Sequence, residues 1–229
     1  MTVLKILSTH AVMEVVRGLE ADFARANSCK LSVHYDPANA LKRQIDGGAD
    51  FDVAILTRAV IDDLAGQSKI IAATCVDLGK SGIGIAFRKG APKPDISTVD
   101  AFKRTLLAAS SVVRSRDGAS GVYFETVLTR LGIAEAMQGK IKLGGSGRVA
   151  EMVARGEVEL AVQQISELMP VVGAEMAGPF PAELQLYTLF SAGLSVGCKQ
   201  PKAAQAFIDC MTAPAATQLY KAAGLEPIN

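Results

Sequence analysis

The sequence predicts an α/β protein whose sheets are largely parallel and covered by helices on both faces. Two observations carry that expectation. Short apolar runs of strand length alternate with stretches of helical period along almost the whole chain. The strands are separated by helices rather than by tight hairpins, which is the pattern of βαβ units. At 229 residues the chain is long enough for one large domain or two smaller lobes, each burying a core.

Taken in order, "VLKIL" (3–7) reads as a buried strand. Residues 11–26 form a helix with Val12, Val15, Val16, Leu19 and Phe23 on one face. "KLSVHY" (30–35) alternates as a strand does. "NALKRQIDGG" (39–48) reads as a short helix with Asn39 as N-cap and glycine at its stop. A buried strand (51–56) and a helix (58–67) follow. "SGIGIAFRKG" (81–90) is a glycine-rich strand, closed by the proline-punctuated turn "APKPDIS". Helix 98–105 leads to strand 111–114, and a Gly/Ser-rich loop then opens a helix with Val127, Leu128 and Leu131 on one face. A strand (139–143), a loop with helix (145–157) and a strand (158–164) come next. The apolar run 184–196 and a helical segment, 201–225, broken at Pro214, finish the chain.

Composition excludes several function classes. Hydrophobic residues at 49% and charged residues at 21% describe a soluble globular protein. With 24 basic against 23 acidic side chains the net charge is +1, so no global field gathers nucleic acid or an anionic membrane surface. Aromatics at 5% and the absence of Trp also argue against base stacking. No apolar run approaches a membrane span of about 20 residues. Cys29, Cys75, Cys198 and Cys210 are widely spaced within apolar stretches and read as free thiols, which leans towards a reducing compartment. The first residues enter a strand directly, without the charge pattern or cleavage site of a signal peptide. The expectation is a cytoplasmic protein, or one whose export signal has been removed.

The strand-to-helix loops hold the candidate site residues, because ligands of open α/β sheets bind beyond the carboxyl ends of the strands. These loops contain Ser8, Thr9 and His10; Asn39; Ala119, Ser120 and Gly121; and Gly147 with Arg148. Small residues with hydroxyl or amide groups at helix starts suit an anion, although N-capping alone explains any one of them. Arg114 and Arg116 border the third loop. Guanidinium groups hold carboxylates bidentately, which points to an organic polyacid rather than a spherical oxyanion. "GKS" (79–81) does not complete a P-loop, and neither "DGASGV" nor "GGSGRV" is a nucleophile elbow. With only His10 and His34, neither a zinc site nor a Ser-His-Asp triad is supported, so no metal or cofactor is expected.

Four segments carry a family resemblance: "ANALKRQIDGGADFDVAIL", "GASGVYFETVLTRLGI", "GGSGRVAEMVARGEVELAVQQISEL" and "TAPAATQLYKAAGLEP". With the order of elements from Val3 to Pro227, they make the chain resemble the molybdate-binding proteins of bacterial ABC importers, which have the type 2 periplasmic-binding-protein fold. The resemblance implies two α/β lobes joined by two crossing strands, near Ser81–Gly84 and Thr188–Ala192. Lobe 1 would hold residues 1–81 and 192–229, and lobe 2 residues 82–191. It further implies a small anion clamped in the cleft, hinge closure on that ligand, an ABC permease as partner and a periplasmic location. Carried over by position, the family's ligand contacts fall on Ser8, Asn39, Ala119, Ser120, Gly147, Arg148 and Gln164. Asn39 and Gln164 stand where the molybdate proteins have a serine and a tyrosine, which disfavours molybdate itself.

The same fold branch includes proteins that look like aconitate isomerases, which shift a double bond within a tricarboxylic acid. Arg114, Arg116 and Arg148 would suit such a substrate. An isomerase also needs a base to remove and return a proton, and His10 and Glu125 are the nearest by position. The leading expectation is a solute-binding protein. The alternatives are an isomerase of a small tricarboxylic acid and a cytoplasmic ligand-sensing domain.

Overall fold

The computed structural model describes residues 2–228. β1 (Thr2–Ser8) passes through one 3-10 turn (His10–Val12) into α1 (Met13–Asn27). β2 (Cys29–Tyr35), α2 (Ala38–Asp46), β3 (Val53–Thr57), α3 (Arg58–Gly66), β4 (Val76–Ser81) and β5 (Ile83–Arg88) follow. Next come α4 (Val99–Ala108), β6 (Val112–Ser115), α5 (Ala119–Arg130), α6 (Ala134–Met137), β7 (Ile141–Gly144) and α7 (Ala150–Ala154). β8 (Leu160–Gln164), α8 (Ile165–Leu168), β9 (Ala174–Pro179), β10 (Thr188–Leu194), α9 (Pro201–Thr212), α10 (Thr217–Ala222) and β11 (Glu226–Pro227) complete the order.

The chain divides into two compact units, one running up to Lys80 and resuming at Thr188, the other spanning Ser81–Tyr187. The first is built on a six-stranded sheet in the order β11-β4-β10-β3-β1-β2. β1 runs parallel to both β2 and β3, while β10 pairs antiparallel with β3. Side chains alternate cleanly across this sheet, as the two-residue period requires. Leu4, Ile6, Val53 and Ile55 join the core under α1, α9 and α10, while Leu7, Ala54 and Leu56 join the core under α2 and α3.

The second unit has a five-stranded sheet in the order β7-β6-β8-β5-β9. β6 is parallel to β7 and β8, and β5 is antiparallel to β8 and β9. Ile85, Val112 and Val162 face the α4–α5 layer, and Ala86, Val113 and Ala161 face α7 and α8. Both sheets are covered on both faces, the α/β class expected from the sequence.

Several boundaries differ from the expectation. The strand read over 81–90 is β5, and β4 just before it, separated by Gly82, went unread. β9 lies in a stretch the periodicity left unread, and the helix read within 145–157 is only α7. The return boundary expected at 192 lies at Thr188, because β10 is one continuous strand whose Phe190–Leu194 segment pairs with β3. Asn39 is not the N-cap of its helix. Pro37 holds that place, and its carbonyl accepts from the Ala40 and Leu41 N–H groups at 2.9 and 3.0 Å. The fixed φ of proline and its missing N–H suit it to a helix start.

All four cysteines are free thiols. Burial pushes each thiol up from its ordinary value, which makes them poor nucleophiles. Among the described residues no helix is long and apolar enough to cross a membrane.

Candidate functional site

In the first unit the loop after β1 brings together Ser8, Thr9 and His10, all buried. The Ser8 hydroxyl donates to the Thr9 carbonyl at 3.1 Å, and the Thr9 N–H donates to the Ile55 carbonyl at 3.0 Å. These bonds fix the loop onto the end of β3. The Thr9 hydroxyl itself is buried with no hydrogen-bond partner among the described residues, an unusual condition for a buried donor. His10 packs its ring against Tyr35 with centroids 5.9 Å apart. Asn39 is exposed at the second position of α2. His34 is exposed on the edge strand β2.

In the second unit the parallel strands β6, β7 and β8 end at one edge of the sheet, at Ser115, Gly144 and Gln164. The loop after β6 is held by Ser115, whose buried hydroxyl accepts from the Gly118 N–H at 3.0 Å. The Arg116 N–H ties the loop to the Gly144 carbonyl at 3.2 Å. Gly118 is the N-cap of α5 and caps with no side chain. The first full helical bond runs from the Val122 N–H to the Gly118 carbonyl, so the N–H groups of Ala119, Ser120 and Gly121 precede the ladder. Ser120 lies at the second helical position, buried, and is not the cap that its residue type suggests.

Gly121 is required here. A Cβ on it would sit 2.0 Å from the Ser115 carbonyl oxygen, so only glycine lets the first turn of α5 approach the end of β6 so closely.

The arginines divide. Arg114 is buried at the end of β6, where its guanidinium donates to the Ser115 carbonyl at 3.1 Å and forms a close ion pair with Glu125 on α5. Both line a groove of about 390 Å³ with Leu128, Thr129, Gln138 and Leu143. Arg114, a candidate ligand arginine in the sequence, is thus paired with the protein's own Glu125, the candidate base on α5, which is 60% exposed. Arg116 is exposed, and Arg148 is half-buried beside Gly147, whose φ of +110° favours glycine.

A cluster that the sequence reading missed lies beside Arg148. Gln163, 2% exposed near the end of β8, accepts from the Val149 N–H at 3.0 Å. Its amide nitrogen donates to the Gly147 carbonyl at 3.2 Å and to the Glu167 carboxylate at 2.9 Å. Glu167 keeps part of its surface while its carboxyl end is enclosed. Burial pushes that carboxyl from 4.5 up to about 7, partly opposed by the Gln164 N–H, by Arg148 and by the Gln163 amide. Gln164, carried over as a ligand position, is buried next to it. A groove of about 780 Å³ in this unit, lined by Pro94, Ile96, Phe180 and Tyr187 among others, involves none of these loops.

A family model described as bacterial extracellular solute-binding protein matches residues 4–226. The chain is 34% identical over 233 residues to an aconitate isomerase from a Pseudomonas species, covering 99% of this chain and 88% of that protein. Among solved structures, it superimposes on the periplasmic molybdate-binding protein of Azotobacter vinelandii with a TM-score of 0.83 at 18% identity, covering 99% of this chain and 100% of that one. The sulfate-binding protein SubI of Mycobacterium tuberculosis H37Rv gives a TM-score of 0.80 at 16% identity, covering 100% of this chain and 88% of that one. The structural likenesses speak to fold. The two-lobed periplasmic-binding-protein fold expected from the sequence is the fold of these proteins.

Proposed function

The chain belongs to the bacterial extracellular solute-binding protein family, and within it we propose that this protein binds a small tricarboxylate and interconverts the geometric isomers of aconitate. The observation that carries the reading is the edge where β6, β7 and β8 end. There the free N–H groups at the start of α5, the buried Ser120 and the Arg148 loop offer donors and positive charge to an organic anion. The 34% identity to an aconitate isomerase favours a tricarboxylate over an inorganic oxyanion.

Isomerisation asks little of the protein beyond binding and one proton shuttle, and a solute-binding scaffold can supply both. The family itself favours a second reading, capture of the same anion for delivery to an ABC permease without turnover. Thermal-shift titration with cis- and trans-aconitate, citrate, sulfate and molybdate, followed by an assay for isomer conversion, tests both readings. The proposal expects aconitate to raise the melting temperature and to be converted, and molybdate to lack submicromolar affinity. Tight molybdate binding without response to tricarboxylates would overturn it. Binding of aconitate without conversion would favour delivery.

A further inference from the structure

Resting on the isomerase reading, we propose that Glu167 is the catalytic residue that removes the substrate's allylic proton and returns it. Three features of its place in the fold carry the assignment. Glu167 stands in α8, three residues beyond the end of β8, at the edge where ligands of parallel sheets bind. The amide nitrogen of Gln163 joins its carboxylate to the Gly147 carbonyl through bonds of 2.9 and 3.2 Å, so the group is fixed against the glycine loop that carries Arg148. Gln163 is in turn held by the Val149 N–H at 3.0 Å, which leaves the carboxylate little freedom.

The charge state suits the task. Enclosure shifts the carboxyl to about 7, so near neutral pH it both accepts and gives up a proton readily. Arg148 is the charged group acting on it. An ordinary surface carboxylate, being a weaker base, would take the carbon-bound proton less readily.

The chemistry balances without a cofactor. The Glu167 carboxylate takes a proton from the methylene carbon between a carboxylate and the double bond. The freed C–H electron pair forms a new carbon–carbon double bond, and the old π pair shifts to the former vinyl carbon. The Glu167 carboxyl returns its proton there, so the protein ends as it began. The transient dienolate places charge on a substrate carboxylate, and Arg148 is placed to stabilise it. The geometry of the product follows from the rotamer held when the proton leaves.

Glu167→Gln keeps an acceptor for the Gln163 amide but cannot take a proton. With wild-type protein that converts aconitate, the variant should lose conversion by about 100-fold or more, while aconitate affinity by calorimetry stays within about threefold. The wild-type rate should rise with pH through about 7, and the residual rate of the variant should lack that rise. Glu167→Asp should recover part of the rate together with the pH rise. Wild-type turnover in a folded Glu167→Gln would overturn the assignment and leave the isomerase reading standing. Wild-type protein that binds aconitate without converting it would overturn the isomerase reading, and the assignment with it.

Discussion

Gln163 donates to the Glu167 carboxylate at 2.9 Å while its own carbonyl oxygen accepts from the Val149 N–H at 3.0 Å. One fully buried side chain thus fixes both a carboxylate and the start of the segment entering α7. Gln163→Leu keeps the approximate volume and removes every one of these bonds. The Val149 N–H would be left buried without its partner, at a cost of about 1–3 kcal/mol. Urea unfolding should show a lowered midpoint of that size, and Gln163→Glu should not recover it, because it keeps the acceptor for Val149 but sets a second carboxylate against Glu167.

Stability should carry the signature of Glu167. Its carboxyl takes up a proton near pH 7 when folded and near 4.5 when unfolded, so between those values the folded chain binds more protons. Stability therefore falls as pH rises from about 4.5 to about 7 and levels off above. At 1.36 kcal/mol per unit the full effect is on the order of 3 kcal/mol. Other carboxylates, such as Asp46 and Asp77, are held below their ordinary values and lose their contribution only at lower pH. Subtracting the Glu167→Gln profile from the wild-type profile isolates the step, and a flat difference would remove its basis.

Arg114 and Arg148 should behave differently. Arg114 is held by Glu125 and the Ser115 carbonyl, so Arg114→Met should lower stability by about 1–3 kcal/mol and change aconitate affinity less than about threefold. Arg148→Ala should weaken aconitate binding by about 10- to 100-fold, because one charge-assisted bond to a carboxylate contributes about 1.5–3 kcal/mol. Calorimetric titration of both variants checks the contrast. Equal losses of affinity would contradict the division of roles.

Gly121→Ala tests the close approach of α5 to β6. The added methyl would meet the Ser115 carbonyl oxygen at 2.0 Å, and backbone cannot yield as a flexible side chain can. The first turn of the helix must move, costing about 3 kcal/mol or more. A melting temperature within a degree or two of wild type would show that the contact is looser than described.

The fold was legible in the sequence because period-two and period-3.6 patterns are strong where both sheet faces are covered. Leu4, Ile6 and Leu7 in β1, or Val112 and Val113 in β6, announce buried strands without outside help. β4 was not legible, since "VDLGKS" carries Asp77 and Lys80 and breaks the alternation. Asp77 is there to accept from Ser191 at 2.7 Å and from Arg58 at 2.9 Å, partners far away in sequence. The site was legible as a set of loops and not as a set of partners. Nothing in the spacing of Arg114 and Glu125, one near the end of a strand and the other in the second turn of a helix, states that they meet. Glu167 escaped because it stands in a four-residue helix after β8, where periodicity has too little length to register. A glutamine pair closing an apolar strand, "LAVQQ", is the local signal that marks the place, since a strand buried on both faces accepts polar residues only with partners waiting.

The most direct measurement is proton NMR of cis- or trans-aconitate incubated with the protein in heavy water. Both isomers should approach the same ratio from either side in a process that depends on Glu167, with deuterium entering the receiving carbon to the extent that the Glu167 carboxyl exchanges with solvent before it returns its proton. Saturating aconitate that stabilises the protein while its isomer ratio and its carbon-bound protons stay unchanged would contradict the account.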